Sequence, residues 1–211
     1  MTTRVGGERG GDGIGTSERQ ARIQRRTRET DVTVRLVLDG SGSTDITTGI
    51  GFYDHLLSSL AHHGLFDLEI RASGDLHVDE HHTVEDVALV LGSAFAEALG
   101  NRAGIRRFGD AAVPMDESLA TAVVDVGGRP YSVVDLPFRG ERVGGLPLQL
   151  VEHAVEAFSR AAGATVNIRG SGRNDHHLAE AAFKAFGRAL REACERDPRR
   201  AGVASTKGTA G

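Results

Sequence analysis

Tryptophan is absent from this chain, cysteine occurs once, and aromatic residues make up only 5% of it. The single thiol, Cys194, excludes an intrachain disulfide and leaves no thiolate cluster for a metal. So few aromatics provide no base-stacking platform. A formal net charge of −4 supplies no basic field for nucleic acid. No run reaches the roughly 18 apolar residues of a membrane span. The Arg- and Gly-rich N-terminus lacks the apolar centre of a secretory signal. These absences lead us to expect a cytoplasmic protein with no nucleic-acid or membrane partner. Any metal it binds would meet oxygen and nitrogen ligands. At 211 residues the chain is one domain or two small ones, long enough for a proper core.

What is present is histidine in a repeated frame. His81-His82-Thr83-Val84-Glu85 returns as His176-His177-Leu178-Ala179-Glu180. On a helix, histidines three and four residues from a glutamate share its face and can share a ligand. Adjacent histidines diverge by roughly 100°, so each pair suits two ions on either side of the helix better than one ion. His55 and His153 lie upstream, in Asp54-His55 and Glu152-His153. A lone His-His dipeptide is ordinarily packing or surface. Its repetition with an upstream histidine and a downstream glutamate in both halves argues for metal ligands.

The periodicity predicts a duplicated unit. Residues 1–18 read as a disordered Gly/Arg-rich tail, and the arginine-rich stretch 19–29 reads as an edge strand with a charged outer face. Strands are expected at 31–38 and 66–72, with 76–78 as partner or continuation of the latter. Gly40–Ser43 reads as a turn rather than a phosphate loop, since it lacks the GKS/T ending. A helix is expected from Gly51 to His63, stopped by Gly64, and a second from Thr83 to Leu99, capped by Asp79 or Glu80 and stopped by Gly100. The second half repeats this with strands at 105–113, 119–126 and 131–136, a helix at 148–162 and a strand at 165–169. A last helix, from His176 to about Arg196, is capped by Asp175. FYDHLLSSLAHHG superposes on QLVEHAVEAFSRAAG, and the strand-to-HHxxE segments superpose likewise. The repeat is roughly 85–95 residues long. The expected boundaries are 19–103 for the first half, 104–198 for the second and 199–211 for a C-terminal tail bearing Ser205-Thr206-Lys207-Gly208. Two such halves bury their apolar faces by stacking helices between sheets, an α+β fold.

Six histidines and two glutamates without cysteine suit Mn, Fe, Co or Zn. Two octahedral ions with four protein ligands each would use all eight, leaving open positions for chemistry. Helix N-termini disfavour imidazolium, which predicts neutral rings at both His-His pairs. Spacing leaves open whether the ions bind within one chain or between chains. Arg106, Arg107, Arg129 and Lys207 are candidate anion clamps. A dinuclear phosphoesterase and a metal-storage assembly could use the same donors.

The segments TGIGFYDHLL, HGLFDL, GDLHVDEHHTVED, GIRRFGD, PMDESL, GRP, LVEH, GRNDHH with its following Glu180 and FKAF, DPRR and STKG together resemble the imidazoleglycerol-phosphate dehydratase family over about residues 20–208. The resemblance implies dehydration of D-erythro-imidazole-glycerol phosphate to imidazole acetol phosphate in histidine biosynthesis, through an imidazolate bridged between metals. It implies duplicated halves like the second domain of ribosomal protein S5, with two sheets sandwiching a helical bundle. It also implies two Mn2+ per subunit, held at subunit interfaces of a 24-mer. The matching metal ligands are His55, His81, His82, Glu85, His153, His176, His177 and Glu180. Arg107, Arg129, Ser205 and Lys207 match substrate and phosphate contacts. Glu29, in the RxTxET pattern, matches an active-site acid, and His63 matches a pocket residue. Substrate contact also falls to His55, His81, His82, Glu85 and His177, and proton transfer to Glu29, Glu85 or Glu180. Ala204, Leu56 and Asp175 depart from the family's common residues without removing a ligand.

Overall fold

The structure, a computed structural model, describes residues 2–4 and 19–209. The first sheet contains β2 (Gln20–Arg26), β3 (Thr30–Val37), β4 (Thr44–Thr47) and β5 (Asp67–Gly74), in the order β2-β3-β5-β4. β4 is parallel to β5 and the other pairs are antiparallel. A short β1, Thr2–Arg4, pairs along the outer edge of β2. The expected N-terminal tail therefore gives way to a strand over these three residues, and the rest of it lies outside the described residues. In β3, Val32, Val34 and Leu36 point inward at 2% exposure or less while Asp31, Thr33 and Arg35 are half-buried, the alternation of a strand with one covered face.

The second sheet repeats the first. β6 (Phe108–Met115), β7 (Ser118–Asp125), β8 (Tyr131–Asp135) and β11 (Thr165–Ser171) lie in the order β6-β7-β11-β8, with β8 parallel to β11. A small hairpin, β9 (Arg142–Val143) and β10 (Leu146–Pro147), stands apart. Between the sheets lie α1 (Gly51–Gly64), α2 (His81–Leu99), α3 (Gln149–Ala162) and α4 (Asp175–Cys194). α2 covers the first sheet and α4 the second. Across the middle, α1 packs on α4 and α2 on α3, so every helix pair joins one half to the other. The duplicated α+β fold is the expected one.

Both crossings are closed by glycine. A Cβ on Gly92 of α2 would sit 2.6 Å from the Phe158 carbonyl oxygen of α3. A Cβ on Gly187 of α4 would overlap the Leu60 carbonyl oxygen of α1. Gly92 follows His81 at the offset by which Gly187 follows His176. The duplication therefore preserves the crossing geometry as well as the donors.

Several boundaries differ from expectation. α1 runs through Gly64 and stops at Leu65, which takes the left-handed conformation at φ 55°. Gly64 is needed for space instead, because a Cβ there would strike the Phe66 ring. α2 starts at His81, two residues earlier than the apolar stripe indicated. Its first N–H donates to Asp79 Oδ1 (2.9 Å), while Glu80 makes no side-chain cap. The cap of α4 is Asn174, not Asp175. Its side-chain oxygen accepts from the N–H groups of His176 (3.0 Å) and His177 (3.4 Å). Asp175 instead accepts from the backbone N–H of Arg139 and Gly140. The 76–78 segment is a turn, not a strand.

Candidate metal centre and anion pocket

The helix pairing brings the donors together in two groups. His55 on α1 meets His176 and Glu180 on α4, and His81 and Glu85 on α2 meet His153 on α3. Within each group the ligand atoms lie within 4.8 Å of one another. In the first, Glu180 Oε2 is 2.9 Å from His55 Nε2 and 3.2 Å from His176 Nε2. Ligands at right angles around an ion with bonds of about 2.1 Å stand about 3.0 Å apart, so this group already has coordination spacing. In the second, Glu85 Oε2 is 3.8 Å from both His81 Nε2 and His153 Nε2. His153 Nε2 is buried and has no hydrogen-bond partner among the described residues. A buried nitrogen left without a partner is costly, and a cation between these donors would satisfy it. The residues fit a divalent metal.

Each carboxylate is anchored by a cation on its other oxygen. Lys184 Nζ lies 2.7 Å from Glu180 Oε1, and Arg160 donates to Glu85 Oε1 at 3.0 Å. Burial pushes the Glu180 carboxyl up, but hydrogen bonds from Lys184 and His55 outweigh it and bring it down to about 2. Sequence reasoning missed Lys184 and Arg160. Lys184 was recoverable from its place four residues after Glu180 on a helix. Arg160 carried no such signal, because its partner is on another helix.

His82 and His177 join neither group. Their Nδ1 atoms face carboxylates, Asp75 Oδ2 at 3.0 Å and Glu117 Oε2 at 2.9 Å. These contacts raise the pKa of both rings, the opposite direction from the one expected of a helix N-terminus. A carboxylate at hydrogen-bond distance outweighs the partial charge of a helix end. Glu29, in the turn between β2 and β3, has its carboxylate 3.8 Å from His82 Nδ1 and largely exposed. The hydroxyl of Thr30 and the Arg25 guanidinium both bind the buried Asp86 of α2, which fixes that turn.

The anion clamps form a separate place. Arg107, Arg129, Ser205 and Lys207 line one cleft of about 520 Å³, together with Arg200. Asp125 grips the Arg107 guanidinium with both oxygens (2.7 and 2.8 Å), and Arg107 Nη1 donates to the Ala204 carbonyl at 2.5 Å. Arg129 and Lys207 add exposed positive charge to the cleft, while Arg200 stands 3.9 Å from Asp197. Arg106 turns away to Glu192 and Glu195 and is not part of it. His63, further along α1, lies in neither donor group. Burial and the nearby Lys184 ammonium lower its pKa.

The fold and site define a class: duplicated α+β sandwiches with two histidine–carboxylate groups that could hold a metal, and a separate basic cleft. Residues 48–190 match the model of the family described as imidazoleglycerol-phosphate dehydratase. Two relatives carry that name. The protein of Gluconacetobacter diazotrophicus is 53% identical over 192 residues, covering 90% of this chain and 97% of its own. That of Methanoculleus marisnigri is 54% identical over 191 residues, covering 90% and 99%. The crystal structure of the Staphylococcus aureus enzyme aligns with a TM-score of 0.76 at 35% identity, covering 84% of this chain and 99% of that one. The Pyrococcus furiosus enzyme, solved in complex with (S)-C348, aligns with a TM-score of 0.76 at 36% identity, covering 88% and 99%. The chain belongs to the imidazoleglycerol-phosphate dehydratase family and is a hydro-lyase.

Proposed function

We propose that this chain dehydrates D-erythro-1-(imidazol-4-yl)glycerol 3-phosphate to 3-(imidazol-4-yl)-2-oxopropyl phosphate in histidine biosynthesis, as a cytoplasmic enzyme. It uses two Mn2+ per subunit, held at the interfaces of a 24-mer. The observation that carries the metal reading is the pair of triads, one at coordination spacing and one holding a buried, unpartnered His153 nitrogen. His82 and His177 supply the fourth ligand of each ion from neighbouring copies, since their own chain turns them away from its triads.

The position of the anion cleft supports assembly. Arg107 donates its backbone N–H to the Ala193 carbonyl near the C-terminal end of α4, while His176 and His177 stand at the opposite end. At 1.5 Å per residue the intervening helix is roughly 25 Å long. The substrate is much shorter, so its phosphate and its ring cannot reach both places on one chain. A complete site takes its cleft from one copy and its triads from another.

Cations held by His55, His176 and Glu180 and by His81, Glu85 and His153 would supply Lewis-acid stabilisation of negative charge on the azole ring. The protein does the rest. Arg107, Arg129, Ser205 and Lys207 hold the phosphate and so fix the three-carbon chain. The ring N–H gives up its proton, the ring's electron pair breaks the adjacent C–O bond, and the hydroxide leaves with that proton as water. The proton on the neighbouring carbon is then removed, and the enol becomes the ketone. Glu29 carries that proton, because it is an exposed carboxylate beside His82 in a turn anchored through Asp86. The test is to supply the Mn2+-loaded protein with the substrate and follow the enolised ketone by ultraviolet absorbance and inorganic phosphate in parallel. Ketone without phosphate supports the dehydratase. Phosphate release marks a phosphoesterase, and neither product marks a metal-storage protein.

A further inference from the structure

The two halves are symmetric in their triads but not around the second histidine of each His-His pair. In the first half the register pairs Thr30 with Gly74, and Glu29 immediately precedes Thr30. In the second half Ser118 sits against Gly172, where a Cβ would collide with its hydroxyl, and Glu117 immediately precedes Ser118. Glu117 is therefore the counterpart of Glu29. Asp75, which follows Gly74, has Arg173 as its counterpart.

The contacts have been exchanged accordingly. In the first half Asp75 holds His82 Nδ1, and Glu29 stands back at 3.8 Å. In the second half no carboxylate follows the glycine, and Glu117 itself reaches His177 Nδ1 at 2.9 Å. Its other oxygen accepts the backbone N–H groups of Arg173 (3.0 Å) and Asn174 (2.8 Å) and the Ser118 hydroxyl (3.2 Å). A carboxylate so held is fixed in position and remains an acceptor. It selects the tautomer with the proton on Nδ1, which leaves the Nε2 lone pair for a metal. The exposed Asp116 places a carboxylate oxygen 3.8 Å from Nε2, beyond hydrogen-bond distance.

We propose that Glu117 is a positioning residue for metal binding: it fixes His177 with Nε2 turned outward to a divalent cation. It does so from the site that Glu29 occupies in the first half, where Asp75 has taken over the same task and released Glu29. This rests on the metal reading above.

The experiment is a double-mutant cycle on Mn2+ binding by the full chain, using wild type, Glu117→Gln, His177→Ala and the double variant. Each is stripped with chelator, checked by circular dichroism and titrated with Mn2+ alone. Glu117→Gln is expected to weaken Mn2+ binding about 10- to 100-fold, and the double variant to bind no more weakly than His177→Ala. Losses that add, or a Glu117→Gln protein that binds like wild type, overturn the proposal. Should Glu117→Gln fail to fold, Glu117→Asp takes its place in the cycle. Its shorter arm cannot span the backbone donors and the ring together, so the same non-additive loss is expected. A wild type that binds no Mn2+ would instead sink the underlying metal reading.

Discussion

At the residue scale, the Arg107–Asp125 pair shows how the proposed phosphate clamp is held in place. Burial pushes the Asp125 carboxyl up, but the Arg107 guanidinium beside it brings it below the usual range. The pair's contribution to stability is therefore complete above the carboxyl's unfolded pKa and is lost as pH falls through the lower, folded value. Asp125→Asn is expected to flatten the acid limb of a stability–pH curve measured by urea unfolding. Arg107→Lys keeps the charge but loses the fork that engages Asp125 and Ala204 together. It is expected to raise KM about tenfold or more with a smaller change in kcat, the pattern of lost uniform binding. Steady-state kinetics with the phosphate-bearing substrate checks this, and an unchanged KM would remove Arg107 from the clamp.

At the element scale, the helix crossings depend on Gly92 and Gly187. Alanine is the better helix former by about 1 kcal/mol, so propensity alone predicts that Gly187→Ala stabilises. The Leu60 carbonyl occupies the space a methyl would need, and overpacking costs about 1–3 kcal/mol. Net destabilisation in chemical unfolding is therefore expected. Asn174→Ala, which removes the cap of α4, is expected to cost about 1 kcal/mol and to loosen the start of the helix that carries His176, His177 and Glu180. Long periodic elements were legible in the sequence because their apolar stripes are strong. β4 was not, since Thr44–Thr47 is short, polar and paired only along one edge. Choosing between Asn174 and Asp175 as the cap turned on a single residue, a distinction that spacing cannot make when both side chains are competent caps.

At the scale of the whole molecule, six of the eight donors recognised from the repeat meet as two triads. The orientation of His82 and His177 was illegible because it depends on Asp75 and Glu117, brought in by sheet pairing and a distant turn. The separation of cleft and triads leads to a test by complementation. Lys207→Ala and His177→Ala each damage a different part of the proposed composite site. Stripped, mixed and reassembled with Mn2+, the two inactive proteins are expected to recover a measurable fraction of activity, because some sites draw both parts from intact copies. A mixture as inactive as its components would place the whole site on one chain. Size-exclusion chromatography with and without chelator gives a second check, with dissociation expected on metal removal.

The pairing of α1 with α4 and of α2 with α3 has a consequence for how such a protein could arise. A chain of half this length would own either a lone imidazole or an incomplete chelate at each place, and nothing able to retain an ion by itself. Two such chains, docked face to face around a twofold axis, would complete both places at once. Joining them end to end would then make permanent an encounter that had depended on concentration, and would leave each copy free to alter its own turn glutamate without spoiling its twin.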